Sequence, residues 1–259
     1  MKKRILSLLT CLALCLTLLP VTTLAANTVS YIYYQWNENT QTLSGPIDGT
    51  AATATEVTAS DTAWGGSDSM EYWYVAQGEV TINQRVTVTG EVHLILADGC
   101  TLTVNGGVQV ADNDNDPSNG SSNSLTIYGQ SGGTGKLIAT FTGGSCNAAI
   151  GGNGQKVEDD DIGGIGAPGG TVTIHGGTVT AQSYFGAGIG GGSGWNSGAG
   201  GTVTIYGGTV TASSYAGADI GGGGNNWANS CGTNIGGTAG AGGTVTIHGG
   251  TVTAKGAAR

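Results

Sequence analysis

The sequence Gly-Thr-Val-Thr-Ile-His-Gly-Gly-Thr-Val-Thr-Ala occupies residues 170–181, and it returns at 201–212 with one change from His to Tyr and unchanged at 243–254. Polar and apolar residues alternate on both sides of the Gly-Gly pair. This alternation predicts two short β-strands joined at a corner. Long repeats of this kind are typical of solenoids, propellers and arrays, and these strands are too few and too short for propeller blades.

A third strand is predicted in each unit from the sequences Ala-Ile-Gly-Gly at 149–152, Gly-Ile-Gly-Gly at 188–191 and Asp-Ile-Gly-Gly at 219–222. One unit buries too few apolar side chains to offset the entropy of ordering its backbone, so the units must stack. The sequence therefore predicts an all-β right-handed parallel β-helix. The inward columns are expected to be Val172, Val203 and Val245, then Ile174, Ile205 and Ile247, then Val179, Val210 and Val252.

Residues 1–25 have the pattern of a secretory signal peptide. A basic start, Met1 to Arg4, is followed by an apolar run at 5–19 and by Thr-Leu-Ala ending at Ala25. These are the three regions of an exported leader. The sequence predicts a secreted or extracellular protein at the cell surface, with no membrane insertion after cleavage because no second run is long enough to span a bilayer.

The remaining chain divides into three parts. Residues 26–78 contain half of the aromatic residues without any repeat, and we expect them to form an aromatic-rich N-terminal cap on the open first rung or a small sugar-binding unit. Residues 79–254 form the predicted β-helix, in which 80–82, 102–104 and 125–127 look like equivalent strands. The tail 255–259 follows a strand directly, so further domains are expected C-terminal to this chain.

The charge of the chain limits its binding partners, and its cysteine content bears on disulfide formation. Without Lys2, Lys3 and Arg4 in the leader, five basic residues face 17 acidic ones, which argues against binding of nucleic acid. The cysteines outside the leader are Cys100, Cys146 and Cys231. Their odd number argues against a disulfide framework, and Cys100 and Cys146 are expected to pack inward as thiols.

Several segments carry a family resemblance. Glu-Val-His-Leu-Ile-Leu-Ala-Asp-Gly at 91–99, Leu-Thr-Ile-Tyr-Gly-Gln at 125–130, Gly-Thr-Gly-Lys-Leu at 133–137 and the Thr-Val-Thr-Ile repeats resemble Gly/Thr-rich secreted β-helix proteins of Gram-positive gut anaerobes. The similarity covers about residues 64 to 254. It implies a pectate-lyase-like right-handed β-helix on a surface protein of the carbohydrate-binding or adhesin-like kind, and it transfers no catalytic residues.

Charged side chains are too few in the repeats for catalysis. Between Ile162 and Ala254 the only charged residue is Asp219, whereas β-helix enzymes that cut acidic polysaccharides need clustered carboxylates and a base. No catalytic residues are assigned, and the protein is predicted not to be an enzyme. A lyase-like enzyme would require the acidic segments 112–116 and 158–161 to converge beside Lys136 or Arg85.

The best candidate for a metal site is Asp112, Asp114 and Asp116. Alternating Asp residues resemble the start of an EF-hand loop, but Pro117 and Asn123 stand where that loop needs Gly and Glu. The segment is therefore either a solvated loop or a loop ordered by Ca²⁺. No cofactor is required by the sequence, and Ca²⁺ is the only ion it suggests; the acidic run at 158–161 is a weaker alternative.

Aromatic residues recur at equivalent places in the repeats. Trp195 and Trp227 follow the third strand, and Tyr184 and Tyr215 follow the second strand. Equivalent residues of adjacent rungs lie about 4.8 Å apart, so these rings are predicted to form a flat row on which sugar rings stack. The alternative is that the rings fold over the loops without binding anything.

Two further sets of rings are interpreted as structural. The corner position 128, 175, 206 and 248 reads Tyr, His, Tyr, His and should face outward, and its His residues are not a metal site because Tyr206 separates them. His93, alone on a strand, is also interpreted as structural. The sequence thus predicts a non-catalytic module that binds polysaccharide or host glycans, with a purely structural stalk as the alternative.

Overall fold

The computed structural model describes residues 28–67, 69–110, 123–141, 146–155, 164–225 and 238–256. These residues form 21 strands and no helix. Accordingly, the described part of the chain contains no helix that is apolar and long enough to span a membrane.

The chain winds through three parallel sheets in a constant order, which makes it an all-β right-handed parallel β-helix. Sheet A contains β3 (Thr55–Glu56), β5 (Glu71–Ala76), β8 (Glu91–Leu96), β11 (Ser124–Gly129), β14 (Thr171–Ile174), β17 (Thr202–Ile205) and β20 (Thr244–Ile247). Sheet B contains β4 (Ala63–Gly65), β7 (Val86–Thr89), β10 (Val108–Gln109), β13 (Ile150–Gly151), β16 (Ile189–Gly190) and β19 (Ile220–Gly221). Sheet C contains β6 (Glu79–Ile82), β9 (Thr101–Val104), β12 (Lys136–Thr140), β15 (Thr178–Ser183), β18 (Thr209–Ser214) and β21 (Thr251–Ala254).

The predicted inward columns are confirmed. Val172 pairs with Val203, and Val203 pairs with Val245. The column that begins at Ile174 and the column that begins at Val179 are paired in the same way. The side chains of the first two copies are buried in one continuous core from Val57 to Ala212, and Val252 packs against it. In β20 the inward Val245 and Ile247 are exposed, because no further rung covers them among the described residues.

The Gly-Gly corner between sheets A and C depends on its second glycine. Gly177, Gly208 and Gly250 have φ values of 78°, 82° and 83°, in the left-handed region that other residues rarely adopt. The corner therefore turns at the same place in every repeat, and the strands on both sides stay in register.

The β-helix begins before the predicted start at Glu79. β5 pairs in parallel with β8, and β4 pairs in parallel with β7, so residues 55–76 already form rungs.

One predicted alignment of equivalent strands also differs from the structure. Ile82 and Val104 are paired neighbours in sheet C, but Ile127 lies in sheet A beside Leu94, because each rung contains two strands of the same alternating pattern.

Much of the N-terminal aromatic segment lies along the side of the solenoid, whereas Trp64 of β4, at the end of sheet B, is fully buried in the core. β1 (Val29–Asn37) and β2 (Thr42–Ala51) form an antiparallel hairpin, which we call the strap. The strap lies on the outer face of sheet A, where Ile32 of β1 pairs with Gly129 of β11. It covers Val75, Ile95 and Tyr128 and forms a second, smaller core with them.

The cysteines differ in part from the prediction. Cys100 is a buried free thiol, as expected. Cys146 is instead disulfide-bonded, and its partner lies outside the described residues. An odd number of cysteines therefore does not exclude a disulfide, because one thiol can be left over in the core.

Candidate functional site

The outer face of sheet A carries a continuous stack of rings. Tyr128, His175, Tyr206 and His248 occupy equivalent corners, and we call them the aromatic ladder. Their successive ring centroids are 5.1, 4.7 and 5.0 Å apart, with interplanar angles of 5°, 5° and 17°. Parallel strands repeat at about 4.8 Å, so equivalent rings must stack face to face. The predicted outward column is thus present as a ladder.

The strap runs along this ladder from rung to rung. Tyr31 lies 4.5 Å from Tyr128 between ring centroids, and Trp36 stacks on His248 at 4.2 Å. Side chains at the two ends of β1 therefore contact rungs that are far apart in sequence. Since these contacts remove apolar ring surface from water, they hold the strap against the sheet.

His175 joins the strap to the middle of the ladder by a hydrogen bond. The backbone N–H of Tyr34 donates to Nδ1 of His175 at 3.1 Å, so this ring nitrogen carries no proton. Burial, with a smaller contribution from His93, lowers the pKa of His175 to about 4. The imidazole is therefore neutral at physiological pH, as the acceptor role requires.

A groove of about 580 Å³ opens between the tip of the strap and the last rungs of sheet A. It combines three rings with hydroxyl, amide and carboxylate groups, and its lining is Trp36, Glu38, Gln41, Thr204, Tyr206, Thr246, Ile247 and His248. The strap supplies the first three residues, and the repeat supplies the others. No local sequence pattern reveals this groove, because its two sides come from segments more than 160 residues apart in the chain.

At the other end of the ladder, His93 is not an isolated structural residue. Its ring stacks on Trp73 at 4.2 Å and 11°. It also lies close to two carboxylates, and the ligand atoms of Glu71, Glu91 and His93 are all within 4.8 Å of one another. Each of these residues appears ordinary in the sequence, and the parallel register of β5 and β8 brings them together.

The predicted aromatic row is formed only in part. Tyr184 and Tyr215 stack at 4.7 Å and 17°, and both are substantially exposed. Face-to-face stacking turns the ring edges outward and covers one face of each ring. The pair therefore does not offer the flat row of open ring faces that the sequence suggested.

Trp195 belongs to a different corner from the Tyr pair. It lies after β16, whereas Tyr184 lies before β16, so the third strand separates them along the rung. The backbone N–H of Trp195 donates to the carbonyl of Gly164, and its side chain is half-buried. Trp227, the proposed calcium ligands Asp112, Asp114 and Asp116 and the acidic run 158–161 lie outside the described residues.

Arg85 is held in place by backbone carbonyl groups. Its guanidinium donates to the carbonyls of Gly106 and Ala148 at 2.9 Å and to the side chain of Asn153 at 2.6 Å. Burial lowers the pKa of this guanidinium, but the group stays protonated at neutral pH. Arg85 therefore ties three successive rungs together.

The fold and the ladder define a parallel β-helix protein with a strap on one face. Residues 172–193, 203–224 and 245–258 match the family model described as a beta helix repeat. Each matched segment begins two residues into one copy of the repeat and extends beyond its end. No curated protein and no solved structure matches the chain.

Proposed function

We propose that the protein is a non-catalytic module that binds a neutral polysaccharide or a host glycan. The observation that carries this proposal is the groove between the strap and the last rungs, which combines aromatic rings with several polar groups. Sugar rings have apolar C–H faces and a rim of hydroxyl groups, so a sugar site needs both kinds of partner.

The charge of the protein favours neutral glycans. The net charge is −9 over the whole sequence, and the groove itself contains Glu38. An anionic polymer would meet like charges on approach. Neutral sugars can use the Glu38 carboxylate, the Gln41 amide and the Thr hydroxyls as hydrogen-bond partners instead.

Two observations support a role without catalysis. Asp219 accepts a hydrogen bond from the backbone N–H of Ser214 at 2.8 Å. Its carboxylate therefore has a structural partner in the corner between β18 and β19. Arg85, one of the bases that a lyase-like site would need, is occupied by carbonyl groups. An enzyme built from the acidic segments at 112–116 and 158–161 stays an alternative prediction, as does Ca²⁺ at Asp112, Asp114 and Asp116.

Export to the cell surface or the medium is part of the same proposal. It is supported by the leader pattern of residues 1–25 and by the disulfide at Cys146. Disulfides persist in oxidising compartments and are rare in the cytosol of most organisms. Polysaccharides and host glycans are accessible to a protein in such a location.

Retention on insoluble and arrayed glycans tests the proposal. We expect Trp36→Ala and Glu38→Gln to reduce retention at least about tenfold, because both side chains line the groove. Tyr215→Ala is the matched control, since it removes an exposed stacked ring outside the groove. Far-UV circular dichroism verifies that each variant is folded.

Three outcomes separate the candidates. Loss of retention in Tyr215→Ala but not in Glu38→Gln would move the site to the Tyr184–Tyr215 pair. No retention on any glycan would favour the structural stalk. Release of new sugar ends would identify an enzyme.

A further inference from the structure

The two carboxylates near His93 are placed by the register of sheet A. Glu71 begins β5 and Glu91 begins β8, and parallel pairing sets these two residues side by side. His93 follows Glu91 by two residues, so both side chains are on the same outer face of the sheet. Three potential ligands therefore converge from two adjacent rungs.

The imidazole of His93 has a nitrogen without a hydrogen-bond partner. His93 is only 6% exposed, and its Nε2 is a buried atom that forms no hydrogen bond. This nitrogen lies 3.4 Å from Oε1 of Glu91 and 4.0 Å from Oε2 of Glu71. Leaving a buried polar atom unpaired is costly, and a cation bound by all three groups would remove that cost.

The remaining atoms of the imidazole are held by neighbouring side chains. Nδ1 lies 3.1 Å from the hydroxyl of Tyr128, and the ring face stacks on Trp73. When the Nδ1–H group donates a hydrogen bond to the Tyr128 oxygen, Nε2 carries no proton and its lone pair is directed at the carboxylates. A partner that fixes the tautomer and the ring orientation is the usual support of a metal-binding histidine.

We propose that Glu71, Glu91 and His93 form a binding site for a divalent transition-metal ion of the Zn²⁺ type. One imidazole nitrogen and two carboxylates suit such an ion, whereas Ca²⁺ and Mg²⁺ prefer oxygen ligands alone. The glutamate side chains are 61% and 56% exposed, so solvent reaches the ion and completes its coordination. The site is distinct from the groove at the opposite end of the ladder.

Isothermal titration of Zn²⁺ into the purified, untagged, metal-free protein at pH 7.5 tests this assignment. We expect micromolar affinity and at least about a tenfold loss in Glu71→Gln, Glu91→Gln and His93→Phe. The Phe variant keeps a ring stacked on Trp73, and the Gln substitutions are at exposed positions that tolerate them. Glu79→Gln, at the start of β6 in another sheet, makes the same chemical change away from the site and should bind Zn²⁺ as the unmodified protein does.

Thermal unfolding provides a second measurement. Saturating Zn²⁺ should raise the Tm of the unmodified protein and of Glu79→Gln, because an ion that binds only the folded state stabilises it, but it should not raise the Tm of His93→Phe. Tyr128→Phe should weaken Zn²⁺ binding about tenfold without abolishing it, as expected for a positioning residue.

Three results would overturn the assignment. The first is the absence of Zn²⁺ binding up to millimolar concentration in the unmodified protein. The second is equal Zn²⁺ affinity in the unmodified protein, Glu71→Gln and Glu91→Gln, which would place any bound ion elsewhere on this acidic chain. The third is binding of Ca²⁺ at these residues in preference to Zn²⁺.

Discussion

Three glycines of sheet B show how much the fold depends on single residues. Gly151, Gly190 and Gly221 are paired neighbours in successive rungs, with φ values of 133°, 137° and 143°. A Cβ atom added to Gly190 would overlap the carbonyl oxygen of Gly221. A Cβ atom at Gly151 or Gly190 is therefore incompatible with the present backbone.

This close approach predicts a large effect of one methyl group. Gly190→Ala should lower the free energy of unfolding by about 3 kcal/mol or more, from backbone strain and from the overlap with the next rung. Chemical denaturation measures the change. Gly242→Ala is the control, because a Cβ atom there would meet nothing within 4 Å, and it should change stability by less than about 0.5 kcal/mol.

At the level of elements, the strap and the aromatic ladder depend on each other. The strap shields ring surface that an isolated β-helix would expose, and the ladder provides the surface on which β1 lies. His175 connects them, because its unprotonated Nδ1 accepts the N–H of Tyr34. Protonation of that nitrogen removes the acceptor.

Acid should therefore destabilise the strap. The pKa of His175 is about 4 in the folded protein, and an unfolded histidine titrates near 6.5, so the unfolded chain binds more protons between these values. This contribution to stability is present above about pH 6.5 and is lost as the pH falls toward 4, on the order of 3 kcal/mol in all. His93, whose pKa is also lowered, acts in the same direction.

Denaturation curves between pH 7 and 5 test this expectation. His175→Asn keeps an acceptor oxygen near the position of Nδ1 and does not titrate, so its stability should vary less with pH than that of the unmodified protein. Equal pH dependence of the two proteins would contradict the assignment of the effect to His175.

At the scale of the whole molecule, the repeats make the length of the β-helix adjustable. Residues 170 and 201 are equivalent glycines, with φ values of 70° each, that precede paired strands. A rung contacts only its neighbours, so one rung can be removed if its ends meet in register.

Deletion of residues 171–201 should therefore give a folded protein. Far-UV circular dichroism should retain the β-sheet signal and thermal unfolding should stay cooperative, with a lower Tm because the strap then meets a ladder that is one ring shorter. Deletion of residues 171–186 removes about half a rung and serves as the control. This deletion removes β14 and β15, so every later strand is displaced along its rung and a strand of sheet C has to pair with sheet B. Cooperative unfolding should therefore be lost.

Some differences between prediction and structure have identifiable physical causes. The run Val-His-Leu-Ile-Leu at 92–96 does not alternate, and all five side chains are buried, because the β-helix core covers one face of β8 and the strap covers the other. A continuous apolar run indicates burial on both faces, but it does not reveal which segment covers the second face. For the same reason, the run does not reveal that Trp73 and Tyr128 surround His93.

The sequence by itself determined the solenoid, the two-strand pattern of the repeat and the inward columns, because strand alternation and glycine corners are local properties that recur at fixed spacing. Only the tertiary structure decided where the strap lies, that Trp36 and Tyr206 line one groove, and that Glu71, Glu91 and His93 converge. These arrangements depend on contacts between segments distant in the chain, and no local pattern of residues specifies such contacts.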